Sequence, residues 1–202
     1  FTSTLKPTAR HMCVAKNFLH IGNVIESGVN YPNRWRWSTV GNSALMDQDD
    51  TTQSDAQDLE SGYGTSAEIR RLIGRTYVTI FTAGGVWRGT YVGDPDVFRI
   101  DELEIGRGLI APGALASYGN LDFYISEDGF HIFDGVRSTP IGEGKVNRTF
   151  LAEFSEVYKG RISGGYDQAT NTIRFVYPLL ATTDGTPTRE LAIDIATGRF
   201  TY

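Results

Sequence analysis

The feature that most constrains this chain is a plan repeated four times along it: a strand, a turn, then a strand carrying aromatic residues. FLHIGNVI runs to a turn around Gly28 to Pro32 and returns as RWRWSTV. TYVTIF turns at Ala83-Gly84-Gly85 into VWRGTYV, and LDFYIS turns at Asp128-Gly129 into FHIFDG. NTIRFVY passes a longer loop around Asp184-Gly185, returns as ELAIDI, and turns at Thr197-Gly198 into RFTY. Side chains on a strand alternate between faces, so Ile173, Phe175 and Tyr177 share one face, and Leu191, Ile193 and Ile195 share another. The turn centres recur at roughly 40 to 55 residues, the period of propeller blades. A sandwich would turn more evenly, every ~8 to 12 residues. The expected fold is therefore all-β and β-propeller-like, built of antiparallel blades that read as part of a larger ring.

As one propeller region, the chain divides into blades at about residues 11–45, 68–107, 108–150 and 160–202, with an acidic loop over 46–66. Helical signals are confined to Ala67 to Ile73 (AEIRRLI) and Thr149 to Tyr158 (TFLAEFSEVY), the second with Phe150, Phe154 and Val157 on one face. A single blade cannot bury both its faces, and the alternating aromatic and aliphatic residues supply the packing between neighbours.

Composition removes several classes. With 202 residues, 40% hydrophobic and 21% charged, the chain can bury a real core and is not a disordered polymer. No apolar run approaches the ~18 residues of a membrane-spanning helix. The opening FTSTLKPTARHM lacks an apolar stretch after a basic start, so no signal peptide is expected, and a start on Phe1 reads as an excerpt of a longer protein. Cys13 is the single cysteine, which excludes a disulfide framework or a thiolate cluster. The net charge of −5 runs against phosphate neutralisation as a binding mode, and suits a surface past which DNA slides without sticking.

Chemistry is sparsely signalled. G-x-S-x-G, Walker and H-E-x-x-H patterns are missing from the sequence. Gly106-Arg107-Gly108 and Gly142-Glu143-Gly144 lack the third glycine of a dinucleotide loop and read as turns. His11, His20 and His131 fit no ligand spacing. Asp47 to Glu60 (DQDDTTQSDAQDLE) carries six carboxylates and no basic residue. It reads as a solvated loop, since Asp47, Asp49 and Asp50 lack the glycine and distant glutamate of a calcium hand. Asn147-Arg148-Thr149 is a formal glycosylation sequon without a secretory context.

Two stretches tempt a functional reading. In NLDFYISEDGFHIFDG, residues 120 to 135, Glu127, Asp128 and Asp134 stand near His131, and a glycosidase needs two carboxylates across a cleft. Ser126-Glu127-Asp128-Gly129 also resembles the Asp-box turn of sialidase propellers, S-x-D-x-G, but its glycine follows the aspartate directly and the box fails by one position. Asp-Gly is a strong tight-turn signal in its own right, so two turns account for these acids without catalysis. In Arg34-Trp35-Arg36-Trp37 the alternation places both tryptophans on one face and both arginines on the other. Such a strand could stack bases and pair phosphates. The preferred reading buries the tryptophans between blades and pairs the arginines with carboxylates, the acidic loop downstream among them.

Residues 74 to 150 resemble a segment common in phage and prophage structural proteins. The pattern is "W/YR-x-x-Y-x-G", met by Trp87, Arg88, Tyr91 and Gly93, then "G-x-G-x-x-A-P-G-S", met by Gly106 to Gly113 with Ala114 in place of the serine. "F-x-S-x-D-G-F-Y-x-F-D-G" follows in Phe123, Ser126, Asp128 to Phe130 and Phe133 to Gly135, with His131 at the tyrosine position. Pro140 to Gly142 and Lys145-Val146 close the match, and NYPNRWRWS resembles an upstream segment of the same proteins. Such proteins resemble the propeller-containing tail hub, or nozzle, of short-tailed bacteriophages. The resemblance implies a virion structural protein made in the host bacterial cytoplasm. It would form a homo-oligomeric ring, typically a hexamer, below the portal and adaptor rings and bearing tail fibres. It implies a mechanical role: retaining the packaged genome, then passing double-stranded DNA on ejection without binding it specifically. No enzyme activity, cofactor, metal or membrane insertion is implied. Two rival readings remain, a receptor- or glycan-binding propeller using Tyr31 or Tyr63 as a sugar platform, and, last, a glycoside hydrolase using Asp128 or Asp134.

Overall fold

The computed structural model describes residues 6–48 and 53–202. The chain is all-β, with four four-stranded antiparallel sheets, each a meander in chain order, and few short helical segments. Each is a propeller-like blade. The chain divides into two compact units, residues 1–108 and 109–202.

The first unit holds two sheets. The first contains β1 (Thr8–Ala15), β2 (Phe18–Glu26), β3 (Val29–Trp37) and β4 (Asp55–Asp58). The β2–β3 hairpin closes on Ser27 and Gly28, both at positive φ, the geometry that matches strand twist in a two-residue turn. Pro32 thus lies inside β3 and not in the turn. It falls where the register shifts between Gly22 and Val24, a bulge that tolerates a residue with no N–H to give. Asp55–Asp58, expected as loop, pairs with Arg34 to Trp37 and completes the sheet.

The second sheet contains β5 (Ile69–Gly74), β6 (Val78–Thr82), β7 (Gly85–Gly93) and β8 (Val97–Ile105). The helix expected over Ala67 to Ile73 is instead strand β5. Its residues pair with β6, burying Ile69 and Leu72 across a register shift. Sheet pairing overrides a weak local helical spacing here. The two sheets share one core, in which Phe18, Trp35 and Trp37 meet Ile69, Val78, Ile80, Trp87 and Phe98. Trp35 is fully buried, and a methyl group on Gly89 of β7 would strike its ring, so this close approach requires glycine.

The second unit holds β9 (Leu115–Tyr118), β10 (Leu121–Ser126), β11 (Gly129–Phe133) and β12 (Ser138–Pro140) in one sheet. Its other sheet is β13 (Ser163–Asp167), β14 (Thr172–Tyr177), β15 (Arg189–Asp194) and β16 (Phe200–Thr201). As the alternation required, Ile173, Phe175, Tyr177, Leu191 and Ile193 are buried. Between the sheets in sequence lie α1 (Asn147–Glu153) and a kinked 3₁₀ segment over Glu156–Arg161. The helix expected to run from Thr149 to Tyr158 breaks because Phe154 is extended (φ −72°, ψ 137°). Phe150 and Phe154 are buried and stacked 5.0 Å apart, while Val157, beyond the break, is 86% exposed. Among the described residues no helix is long and apolar enough to cross a membrane.

Candidate functional site

The acid-rich stretch folds as the β10–β11 hairpin. Ser126 pairs with Gly129, so Glu127 and Asp128 are the two central turn residues. Gly129 alone of the turn takes positive φ (+121°), with neither Glu127 nor Asp128 there. This corrects the reading of Asp128-Gly129 as the turn centre: the glycine ends a turn of type I character. Gly129 is needed twice over, since a side chain there would also collide with the Asn147 amide. Asn147 clamps the turn from α1: its Nδ2 donates to the Asp128 carbonyl (3.0 Å), and its Oδ1 accepts from the Phe130 N–H (3.2 Å). The amide of the formal sequon is thus committed to the fold.

Each nominated group has a structural partner or an exposed position. Nε2 of His131 lies 2.7 Å from Oδ1 of Asp128, whose side chain is half exposed. The other ring nitrogen, Nδ1, is buried and has no hydrogen-bond partner among the described residues, and the ring stacks on Tyr124. Asp134 accepts the N–H groups of Val136 and Arg137 at 2.9 Å each, ordering the turn into β12. Those N–H donors favour the carboxylate and hold Asp134 below its ordinary value, the opposite of what a general acid needs. Glu127 is exposed. The sequence reading missed Asp122, which is fully buried in β10 and accepts the Ser117 hydroxyl at 2.6 Å. An acid inside an apolar strand was its only signal.

On β3 the tryptophans face the core, 4.7 Å apart, and the arginines face away from it. Arg34 makes a forked pair to Asp58 (Nε–Oδ1 2.6 Å, Nη2–Oδ2 2.8 Å) and reaches Glu26 Oε2 at 2.9 Å. Arg36 donates from Nε to Glu26 Oε1 (2.8 Å) and from Nη1 to the Met46 carbonyl (2.6 Å). Hydrogen bonds to Asp58 first, and then to Glu26, hold the Arg34 guanidinium above its ordinary value. Arg36 and Glu26 are both buried, so the cluster of two arginines and two acids neutralises itself inside the fold. Asp58 belongs to the acidic run, as expected. Glu26 was not foreseen, because its place opposite both arginines depends on the β2–β3 register.

The remaining candidates lie apart. His20 is buried, stacks on Trp35 at 5.4 Å, and is driven by burial down to about 4. His11 is partly buried on β1 and lowered by burial, then by Arg71 and Arg10. Burial pushes the Cys13 thiol up to about 12, which removes its thiolate reactivity at neutral pH. Tyr31 is covered by the Arg34 guanidinium, 3.7 Å from the ring centroid, so it offers no free platform, while Tyr63 is 75% exposed. Asp49 and Asp50 lie outside the described residues. Among the described residues, His, Cys, Asp and Glu form no group of three suited to a metal ion. No protein-family model matches the chain, and no curated protein is significantly similar to it.

Proposed function

We propose that this chain is a structural part of a short-tailed phage tail hub, in which blades form a rigid ring around the DNA channel. One observation carries the reading: the segment resembling phage structural proteins spends its motif residues on blade architecture. Trp87 is in the first unit's core, and Phe123, Phe130 and Phe133 are buried in the second. Gly129 and Gly142 both lie against the Asn147 clamp. Asp134 orders a turn through its backbone acceptor role. A motif that specifies sheets, turns and their clamps suits a scaffold whose work is mechanical. The net charge of −5 supports weak, uniform repulsion of a passing duplex over sequence-specific capture.

Native mass spectrometry of the full-length protein over a range of concentrations, with and without its adaptor ring protein, tests this. A closed ring, alone or on the adaptor, is the expected result. A monomer under every condition overturns the reading. Duplex DNA titrated in ~50 mM salt is expected to give no saturable binding.

A further inference from the structure

Two sheet edges come together in the first unit. β8 is bonded to β7 on one side and β4 to β3, and among the described residues no further strand covers either. Between them runs an open groove of about 630 Å³, within the usual range for ligand sites of ~300–1,000 Å³. Phe98, Arg99 and Ile100, three consecutive residues of β8, all line it. Successive side chains on a strand point to opposite faces, so three in a row border one groove only where it follows the strand's edge. At such an edge every second N–H and C=O points outward without a ladder partner.

The rest of the lining says what would be received there. Trp37, on the neighbouring sheet, and Phe98 border the groove but are almost wholly buried, and Val92, Pro95 and Ile100 supply its open apolar surface. Asp55 pairs in register with Trp37, so its side chain shares that face and enters the groove. Asp96 stands at the β7–β8 turn. Neither Asp55 nor Asp96 has an ion pair among the described residues, whereas the lining cation, Arg99, meets Asp101 at 3.3 Å, a carboxylate that Arg88 also approaches at 3.8 Å. The groove therefore offers an open backbone edge, a small apolar surface and two carboxylates without an ion pair against one arginine that is already paired.

We propose that this groove accepts an extended peptide, which adds to β8 as a fifth strand. Its inward side chains would be apolar against Val92, Pro95 and Ile100, with one lysine or arginine reaching Asp55 and Asp96. Backbone hydrogen bonds would supply much of the affinity, and the inward side chains the choice of partner. A compact ligand would leave the edge groups of β8 unmet. This inference stands apart from the tail-hub reading, since it needs neither a ring nor DNA.

The test uses the whole chain, isotopically labelled, with three capped heptapeptides: TVTKTVT, TVTETVT with the charge reversed, and TVPKTVT with one backbone N–H removed. Amide shifts in the NMR spectrum are expected to centre on Phe98 to Glu102. The lysine peptide is expected to bind at least about tenfold more tightly than either of the others. The double variant Asp55→Asn/Asp96→Asn, confirmed folded by its own spectrum, should bring the lysine and glutamate peptides within about twofold. No shifts at millimolar peptide, shifts centred away from β8, or equal affinity for the lysine and glutamate peptides would overturn the proposal.

Discussion

Two regions advertise chemistry in much the same residue types and then use them oppositely. Across the β2–β3 hairpin of the first unit the charges go inside: Arg36 is 4% and Glu26 8% exposed, and they balance each other beneath the loop that carries Met46. At the turns on either end of β11 in the second unit the acids Glu127, Asp128 and Asp134 go outside, and Asp134 satisfies itself on backbone N–H groups at the solvent edge. The difference follows from position. The loop carrying Met46 covers the polar face of the β2–β3 hairpin, so its charges must be satisfied within the fold, because few waters reach them. A turn lies where water is plentiful, and its acids need only order a few backbone donors. Burial, then, separates an acid that supports the fold from one that only trims a turn.

The comparison can be strained most by removing the core on which β3 rests. Trp35→Ala is expected to cost about 4 kcal/mol, read as a lower urea midpoint by the fluorescence of Trp37 and Trp87. All three tryptophans lie in the first unit, so this signal reports on that unit alone. A loss below ~1 kcal/mol would show that the shared core is not what holds the two sheets.

His20 gives the next largest effect, through pH. It is neutral in the fold down to about 4, while the unfolded chain takes up a proton near 6.5. Between those values the unfolded state binds more protons, so stability is full above about 6.5 and falls as pH drops toward 4. The gap is worth roughly 3 kcal/mol at ~1.4 kcal/mol per pH unit. Urea midpoints measured from pH 7 to 4 should show this slope in the wild type, and His20→Phe should flatten it.

The hairpin's own sensitivity is smaller. Asn147→Ala removes two hydrogen bonds to the turn and is expected to cost about 1–2 kcal/mol. Faster amide exchange at Phe130 would mark the loss at the site. The smallest effect belongs to Asp134→Ala, at most about 0.5 kcal/mol because the side chain is solvent-screened. Its carboxyl is held below 3.8, so its contribution is present above that value and disappears as pH falls through the lower folded-state value. An NMR acid titration of Asp134 checks the direction.

The sequence showed the paired central strands of each blade because aromatic and aliphatic residues alternate there, as in TIRFVY and ELAID. It hid most of the outer strands, RFTY excepted. DAQD of β4 has hardly an apolar side chain, and is a strand because Asp55 to Asp58 pair with Trp37 to Arg34. IRRLIG of β5 imitates a helical spacing, and only its pairing with β6 decides otherwise. At the candidate sites, the pairing of arginines with nearby acids could be foreseen from opposite charge. The role of Glu26 required a hairpin register, and the clamp by Asn147 required α1 to return to the β10–β11 turn. The groove along β8 had no local signature, since two strands from different sheets create it.

The most direct test of the buried-charge account is Glu26→Gln, unfolded in urea at neutral pH and followed by tryptophan fluorescence. Removing one partner leaves Arg36 buried beside an uncharged amide, and the expected loss is about 3 kcal/mol. A change within ~0.5 kcal/mol of the wild type would mean that the arginines of β3 are not held by internal pairing, and would contradict the account.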